Sequence, residues 1–295
     1  MDLITPFDPW HSKLCTCPKK YTLNPYTGCS FRCLYCYITS YIPKAFEVRR
    51  KKDLVRRVSK DLVKLERGAL ISMSNSSDPY PHMEEEYGDT RRAVGLILSR
   101  GFRLLIATKS NLVARDVDLF SRRSCVSMTI TTLRVEVSDR LEPFAPSPAK
   151  RLETLKLLSE SGIETSLRLD PIIHGVNDGD IDDVLDRCSE YVKHVTSSTF
   201  KPRADSWARV SRAFPIDPGP YSKRGRVYYL EEEMRRELIE KVRKKCDELG
   251  LTFGCCREGC PINDLNTGIC DGSGLIAYDP EGLKDAVMKP QNGTE

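Results

Sequence analysis

No stretch of this chain is long and apolar enough to span a bilayer, which takes about 20 such residues, so no membrane-spanning helix and no membrane partner are expected. The first residues, "MDLITPFDPWHSK", lack the charged start and apolar run of a secretory signal, and the expected location is cytoplasmic. Excess charge is also scarce. Lys and Arg number 46 against 42 Asp and Glu, leaving +4, too little by itself to argue for nucleic acid. Internal repeats and low-complexity segments are absent, and 40% hydrophobic and 30% charged residues describe an ordinary globular chain. Cysteine, by contrast, is plentiful, with 12 among 295 residues. A reducing compartment keeps thiols free, so clustered cysteines point to metal.

Short apolar runs alternate with amphipathic stretches. "YTLN" (21–24), "ALISMS" (69–74), "RLLIAT" (103–108), "CVSMTIT" (125–131), "ETSLRLDPII" (164–173) and "HVTSSTF" (194–200) read as strands. Residues 52–66, 88–101, 146–162 and 178–193 read as helices, with apolar residues at helical spacing. In 146–162 proline stands at the start and Gly162 at the stop, the expected asymmetry. Six alternations predict a parallel sheet with helices outside it, doubly wound or barrel-like. Polar residues gather just after the strands, from Ser74 to Asp78, at Lys109 and at Asp170. In both architectures the C-terminal strand ends carry the chemistry. After residue 200 the pattern changes to an irregular stretch rich in Pro, Gly and Arg, a long helix over 230–250, and a second cysteine-rich segment, 255–270. The expected organisation is an N-terminal segment with a Cys-x-Cys (1–20), the repeat region (21–200), and an extension on the same domain (201–295).

The first cysteine cluster, "NPYTGCSFRCLYCYITSY" (24–41), places Cys29, Cys33 and Cys36 at C-x3-C-x2-C. It lacks a fourth ligand. Zinc sites pair C-x2-C with a matching distant pair and close a tetrahedron. Three thiolates on one loop instead suit three irons of a cubane, leaving one iron open to a small molecule with an amine and a carboxylate. S-adenosylmethionine offers both, and one electron from the cluster cleaves its sulfonium bond to give a deoxyadenosyl radical. A zinc knuckle or unrelated buried cysteines are the alternatives.

The triplet, with Tyr35 directly before its third cysteine, resembles the signature of the radical SAM superfamily. With "SNSSDPY" (74–80), "ATKS" (107–110) and "RLEPFAPSPAKRLETLKLLSESGIETSLRLDPII" (140–173), it looks like the spore photoproduct lyase-like branch, described as DNA repair photolyase-related. The likeness covers roughly residues 20 to 200. It implies an α/β fold, a partial (β/α)6 TIM-type barrel, here followed by the C-terminal cysteine-rich extension. It implies a [4Fe-4S] cluster on Cys29, Cys33 and Cys36, S-adenosylmethionine, and an electron donor of the ferredoxin or flavodoxin type. Ser77 resembles a residue at the amino or carboxylate end of S-adenosylmethionine, and Lys109 the lysine that binds its carboxylate. Tyr35, Thr129 and Arg168 are further cofactor candidates; a core hydroxyl for Thr129 and an Arg168–Asp170 pair are the plain readings beside them. True lyases of this branch carry a hydrogen-donating cysteine where this chain has Asn75. An amide cannot donate a hydrogen atom as a thiol does, so the catalytic residue is left open and the thymine-dimer substrate does not carry over.

Among the remaining cysteines, Cys125, Cys188 and Cys246 sit in predicted strands or helices and read as core thiols. Cys15, Cys17, Cys256 and Cys270 are the expected ligands of a second, auxiliary iron–sulfur cluster, with Cys255 and Cys260 in reserve. Neighbours in an extended chain point opposite ways, so only one of Cys255 and Cys256 is expected to ligate. Such a cluster staples the N-terminal segment to the extension; structural zinc or metal-free thiols are the alternatives. Tyr221, Arg224, Arg226, Tyr228 and Tyr229, with Trp207, Arg203, Arg209 and Arg212, interleave aromatics and arginines in a way that suits bases and phosphates. A pocket for a peptide or anionic metabolite is equally consistent. Three classes follow: a radical SAM enzyme repairing or modifying nucleic acid, one acting on a protein side chain or metabolite, and a non-catalytic metal-binding module.

Overall fold

The computed structural model describes residues 2–7, 14–15, 17–73, 76–259 and 270–278. Asn75 and Cys260 lie outside the described residues. Two short strands, β1 (Thr5–Pro6) and β2 (Tyr21–Leu23), precede a hairpin of β3 (Tyr26–Thr27) and β4 (Arg49–Arg50) that encloses the cysteine loop. Then follow α1 (Leu54–Leu62), β5 (Leu70–Met73), α2 (Met83–Tyr87), α3 (Asp89–Ser99), β6 (Arg103–Thr108) and β7 (Ser124–Thr129). The second half holds α4 (Val135–Leu141), α5 (Pro148–Glu160), β8 (Glu164–Ile172), α6 (Ile181–Cys188) and β9 (His194–Thr199). The extension contributes α7 (Ala204–Ala213), the hairpin β10 (Tyr221–Arg224) and β11 (Val227–Leu230), α8 (Glu232–Glu248) and β12 (Thr252–Cys255).

The main sheet runs β1-β2-β5-β6-β7-β8-β9-β12. Every neighbouring pair from β2 onward is parallel, and β1 joins β2 antiparallel. Strand order follows chain order with no reversal. A doubly wound sheet reverses at its switch point; right-handed crossovers that never reverse put the helices on one face and curl the sheet around the other. This is the partial-barrel alternative of the two offered by the sequence, and among the described residues β1 and β12 do not pair to close it.

Period two sorts the strand residues. Leu104, Ile106, Val126, Met128, Leu167, Leu169, Val195 and Phe253 join residues of α1, α3, α5, α6 and α8 in one apolar core. Their neighbours on the strands, including Ser72, Ala107, Ser127, Thr129, Arg168, Thr196 and Ser198, line a cavity on the opposite, concave face. A small apolar cluster of Leu70, Leu105, Cys125 and Ile276 packs the C-terminal segment against the N-terminal halves of these strands.

Three details depart from the sequence reading. The region 201–229 is irregular only in part, over 214–220: α7 buries Val210 and packs Trp207 beside Phe214 and Phe200, an apolar spacing masked by its Pro- and Arg-rich flanks. The extension also supplies a seventh parallel strand, β12, which binds β9 from Thr252–His194 to Cys255–Ser197. The helix expected over 178–193 is shorter, a 3-10 turn (Asp178–Asp180) leading into α6. Elsewhere the local signals act as expected. Pro148 opens α5 behind the Ser147 cap, and Gly162 takes the left-handed φ of +75° after its end.

Candidate active site

The cysteine loop connects β2 to α1 and lies over the C-terminal strand ends. The β3–β4 ladder pinches its base, and Cys29 N–H donates to Ala45 O at 2.8 Å. Gly28 has φ +83°, and a Cβ there would stand 2.3 Å from Glu47 O, so the loop's entry requires glycine. Further along, Leu34 N–H donates to Leu141 O and Cys36 N–H to Cys33 O, at 2.8 and 3.1 Å. Arg209 of α7 completes the clamp, donating to Leu34 O at 3.0 Å and Cys36 O at 2.6 Å. Arg203 likewise reaches Ser40 Oγ at 2.8 Å. These two arginines, read from sequence as substrate candidates, are occupied in shaping the loop.

The loop gathers three free thiols: Cys33 is buried, Cys29 and Cys36 half-buried. Burial pushes the Cys29 thiol up to about 12, and lifts Cys33 and Cys36 as well, with mutual repulsion among the three adding to it at Cys33. Unmetallated, the loop holds neutral thiols; a cationic group is what would favour their thiolates.

Beside the loop stands a charged cluster that the sequence did not reveal. Glu142, after α4, is fully buried and pairs with Arg151 of α5 at 2.5 Å. It also accepts the Tyr35 hydroxyl and lies 4.0 Å from Lys109 Nζ. Burial works against the Glu142 carboxylate, but Arg151 and Lys109 outweigh it and hold its pKa below the usual range. Burial likewise opposes the Lys109 ammonium, and Cys33 and Glu142 reverse the balance and raise its pKa. Lys109 is therefore a half-buried cation placed 5.4 Å from the Tyr35 ring centre, with Cys33 close enough to act on its charge. Its backbone is fixed by Asp78, which accepts from Lys109 N–H at 2.8 Å and Thr108 Oγ1 at 2.7 Å.

Of these groups Tyr35, Cys36, Asp78 and Lys109 open onto one cavity of about 530 Å³, lined also by Tyr37, Thr129, Arg168, Asp170 and Cys256. Its size is that of small-molecule and cofactor sites. Ser127 Oγ, in the lining, and Ser77 Oγ nearby are buried with no partner among the described residues. Ser76 rather than Ser77 reaches the lining. Arg168 pairs with Asp170, whose other oxygen accepts from Ser198 Oγ at 2.6 Å. An ammonium, unpartnered hydroxyls and three adjacent thiols fit a cubane with one open iron and a ligand bearing an amine and a carboxylate.

The second cysteine set shares the cavity. Cys15, Cys17, Cys256 and Cys270 all line it, whereas Cys255 faces the helix-side core. Cys17 and Cys270 are in contact, Sγ to Sγ 3.2 Å, and Lys20 pairs with Asp271 beside them. The N-terminal segment and the extension therefore meet here. Cys256 stands apart, with Asp170, Arg168 and Lys201 as its charged neighbours. Its loop is anchored by Lys201, which reaches Cys256 O at 3.2 Å and pairs with buried Glu258.

Residues 23–188 match the family model described as Radical SAM superfamily. The chain is 36% identical over 159 residues to an uncharacterized protein of Methanocaldococcus jannaschii, covering 52% of this chain and 61% of the relative. A protein of Pseudomonas phage M6 named radical SAM Nalpha-GlyT isomerase is 24% identical over 258 residues, 80% of this chain and 53% of its own length. The chain thus spans between half and two thirds of these relatives. Among solved structures, a spore photoproduct lyase mutant with bound AdoMet and dinucleoside spore photoproduct superposes with a TM-score of 0.65 at 16% identity, over 78% of this chain and 75% of that one. No described helix is long and apolar enough to cross a membrane.

Proposed function

Because the chain belongs to the radical SAM superfamily, we propose that Cys29, Cys33 and Cys36 hold a [4Fe-4S] cluster, that S-adenosylmethionine binds in the adjoining cavity, and that the enzyme modifies or repairs a nucleobase in nucleic acid. The observation that carries this reading is the convergence of Cys36, Tyr35 and the half-buried Lys109 ammonium on one cavity at the C-terminal strand ends. When bound and reduced, the cluster and S-adenosylmethionine supply a 5′-deoxyadenosyl radical. The protein's own residues bind and orient. Lys109 meets the cofactor's carboxylate as a charge-assisted donor, with Glu142 and Tyr35 keeping it charged and in place. Ser77, Thr129 and Ser127 offer hydroxyls to its polar end. Arg168, held by Asp170, faces the same space from β8. An electron donor of the ferredoxin or flavodoxin type supplies the reductant.

Support for a nucleic-acid substrate comes from two sides. The phage relative is named an isomerase of GlyT, and the superposing lyase holds a dinucleoside photoproduct. In this chain the β10–β11 hairpin, with Lys223 and Arg224 exposed, projects beside Trp207, whose ring meets Tyr221 edge-on at 4.9 Å and Tyr228 at 6.0 Å. Aromatic faces bordered by cations suit unpaired bases and phosphates.

The test is anaerobic reconstitution with iron and sulfide, reduction, and addition of S-adenosylmethionine. About four irons bound through the triplet, and release of 5′-deoxyadenosine and methionine, are expected. Zinc in place of iron with no turnover overturns the cluster. Nucleic-acid binding is read by titration at rising salt, where affinity falls steeply if phosphates are contacted. Turnover without such binding redirects the substrate to a peptide or metabolite.

A further inference from the structure

We propose that Cys15, Cys17 and Cys270, with the Asp271 carboxylate as fourth ligand, form a binding site for a single thiolate-preferring divalent metal such as zinc, distinct from the triplet loop, which ties the N-terminal segment to the C-terminal one on the concave face of the sheet. The observation is a meeting of thiols that chain proximity does not explain. Cys17 and Cys270 are 253 residues apart in sequence, yet their sulfurs lie 3.2 Å apart. A carboxylate oxygen of Asp271 lies with both sulfurs inside a 4.8 Å sphere of mutual distances. Cys15 lies within hydrogen-bonding reach of Cys17 and lines the same space.

The spacing selects the kind of metal. In a tetrahedral zinc site with Zn–S bonds of about 2.3 Å, two sulfurs stand about 3.8 Å apart, and the observed pair opens by about half an ångström to reach that. Thiolates bound to separate irons of a cubane splay outward from its corners and are held well apart. The compact pair therefore suits one ion; the four-cysteine auxiliary cluster expected from the sequence is the competing occupant, and acid-labile sulfide tells the two apart. Cys256, the remaining member of that set, has Arg168, Asp170 and Lys201 around it and not this pair.

The surroundings differ from those of ordinary core thiols. Cys188 and Cys246 are buried among apolar side chains. Cys17 and Cys270 instead adjoin a buried ion pair, Lys20 and Asp271, whose side chains are 3% and 8% exposed. Binding of a divalent ion forms metal–sulfur bonds and sends the thiol protons to solvent. Two released protons balance the ion's charge, and release of the third leaves the site with one net negative charge, because the Lys20 ammonium and the Asp271 carboxylate already cancel each other. The backbone around Cys270 is fixed in advance: Thr196 Oγ1 donates to Cys270 O at 3.1 Å, Ser273 N–H to Asp271 Oδ1 at 3.1 Å, and Gly272 lies so close to Ser166 and Cys125 that no Cβ fits. Preset ligand backbone of this kind is what a structural site needs.

The test uses the full chain carrying Cys29→Ala, Cys33→Ala and Cys36→Ala, which removes metal held by the triplet loop. Under reducing, anaerobic conditions, titration with Co2+ is expected to fill about one site per chain with the charge-transfer bands of thiolate ligation, displaced by Zn2+ and lost in the further variants Cys17→Ser and Cys270→Ser. A second reading needs no substitution. In the wild-type chain, Zn2+ is expected to slow iodoacetamide labelling of Cys17 and Cys270 roughly tenfold, with chelator restoring it. Equal labelling with and without Zn2+, absence of the cobalt bands, a Cys17–Cys270 disulfide in anaerobically purified protein, or acid-labile sulfide in the triple-alanine chain each overturns the proposal. None of these readings depends on S-adenosylmethionine turnover, so failure here and failure of the proposed enzyme activity are separate results.

Discussion

Replacing Glu142 by glutamine tests whether the buried charge cluster beside the cysteine loop is a coupled unit. The amide keeps the side chain's shape and still accepts from Tyr35, so packing is unchanged. What is lost is the negative charge facing Arg151, whose side chain is 1% exposed and lies 2.5 Å away, and Lys109 at 4.0 Å. Removing one partner of a buried pair leaves an uncompensated charge and costs about 3–5 kcal/mol. Arg151 retains Pro146 O at 2.7 Å and Thr129 O at 3.1 Å, which places the expected loss near the lower end, about 3 kcal/mol. For a domain of this size, at about 2 °C per kcal/mol, the melting temperature falls by roughly 6 °C. Arg151→Met alone should cost a similar amount by stranding the carboxylate. The double variant should cost clearly less than the sum, with a coupling energy of about 2–3 kcal/mol. Melting by circular dichroism on the four proteins, prepared metal-free, gives all these quantities. Additive losses, or a fall of less than about 1 °C for Glu142→Gln, refute the idea that Glu142 and Arg151 act as a coupled buried pair.

Gly28→Ala places a Cβ 2.3 Å from Glu47 O at a φ of +83°; strain of about 1–3 kcal/mol should displace the loop, and iron retained after reconstitution should drop, whereas wild-type iron content and melting would count against the tight entry turn. Arg209→Met keeps the packed stem but removes the donors to Leu34 O and Cys36 O; iron loss to a chelator should accelerate roughly tenfold, as for one or two charge-assisted hydrogen bonds, and an unchanged rate sinks the clamp. His194 is buried, with Nδ1 2.9 Å from Thr252 Oγ1, and burial chiefly, with Arg168 adding and Asp271 opposing, lowers its pKa to about 4. The unfolded chain takes up this proton near pH 6.5 and the folded one only near 4, so stability is full above pH 6.5 and falls by about 3 kcal/mol as pH drops through that window. Denaturant titrations at several pH values should show a flatter slope for His194→Gln, and parallel slopes contradict the assignment.

What sequence reasoning reaches here is set by how far a signal travels along the chain. The triplet spacing, Gly162 and the six strands are local patterns, and each is visible within about ten residues. Cys255 and Cys256 were separable for the same reason: strand alternation sends one to the helix-side core and the other to the cavity. The same alternation runs through Ser72, Ser127, Thr129, Arg168 and Ser198, so more of the cavity lining was legible than was drawn from it. Glu142 and Arg151 were not legible, because each reads as an ordinary charge near a helix end, and only the fold brings both beneath Tyr35 and Lys109. Arg209 escaped for a different reason. It acts on backbone carbonyls, which every residue has, so nothing in residues 34–36 advertises the arginine that holds them.

The same logic explains the division of labour between the two ends of the molecule. The mouth of the cavity, at the β2–α1 connection, is shaped by short-range chemistry: a glycine entry, a hairpin base and three thiols within eight positions. The depth of the concave face is shaped by pairs separated by about the whole chain, Cys17 with Cys270 and Lys20 with Asp271. Loop-closure entropy grows only slowly with length, so closing so long a loop costs little more than closing a short one, provided the contact itself is strong. Two buried opposite charges in contact and a thiol pair able to take a metal meet that condition; a lone hydrogen bond would not. The C-terminal segment that carries Cys270 and Asp271 packs against the N-terminal halves of the central strands, and there such a long-range fastening can both close the cavity and leave its mouth, at the C-terminal strand ends, free for the cofactor.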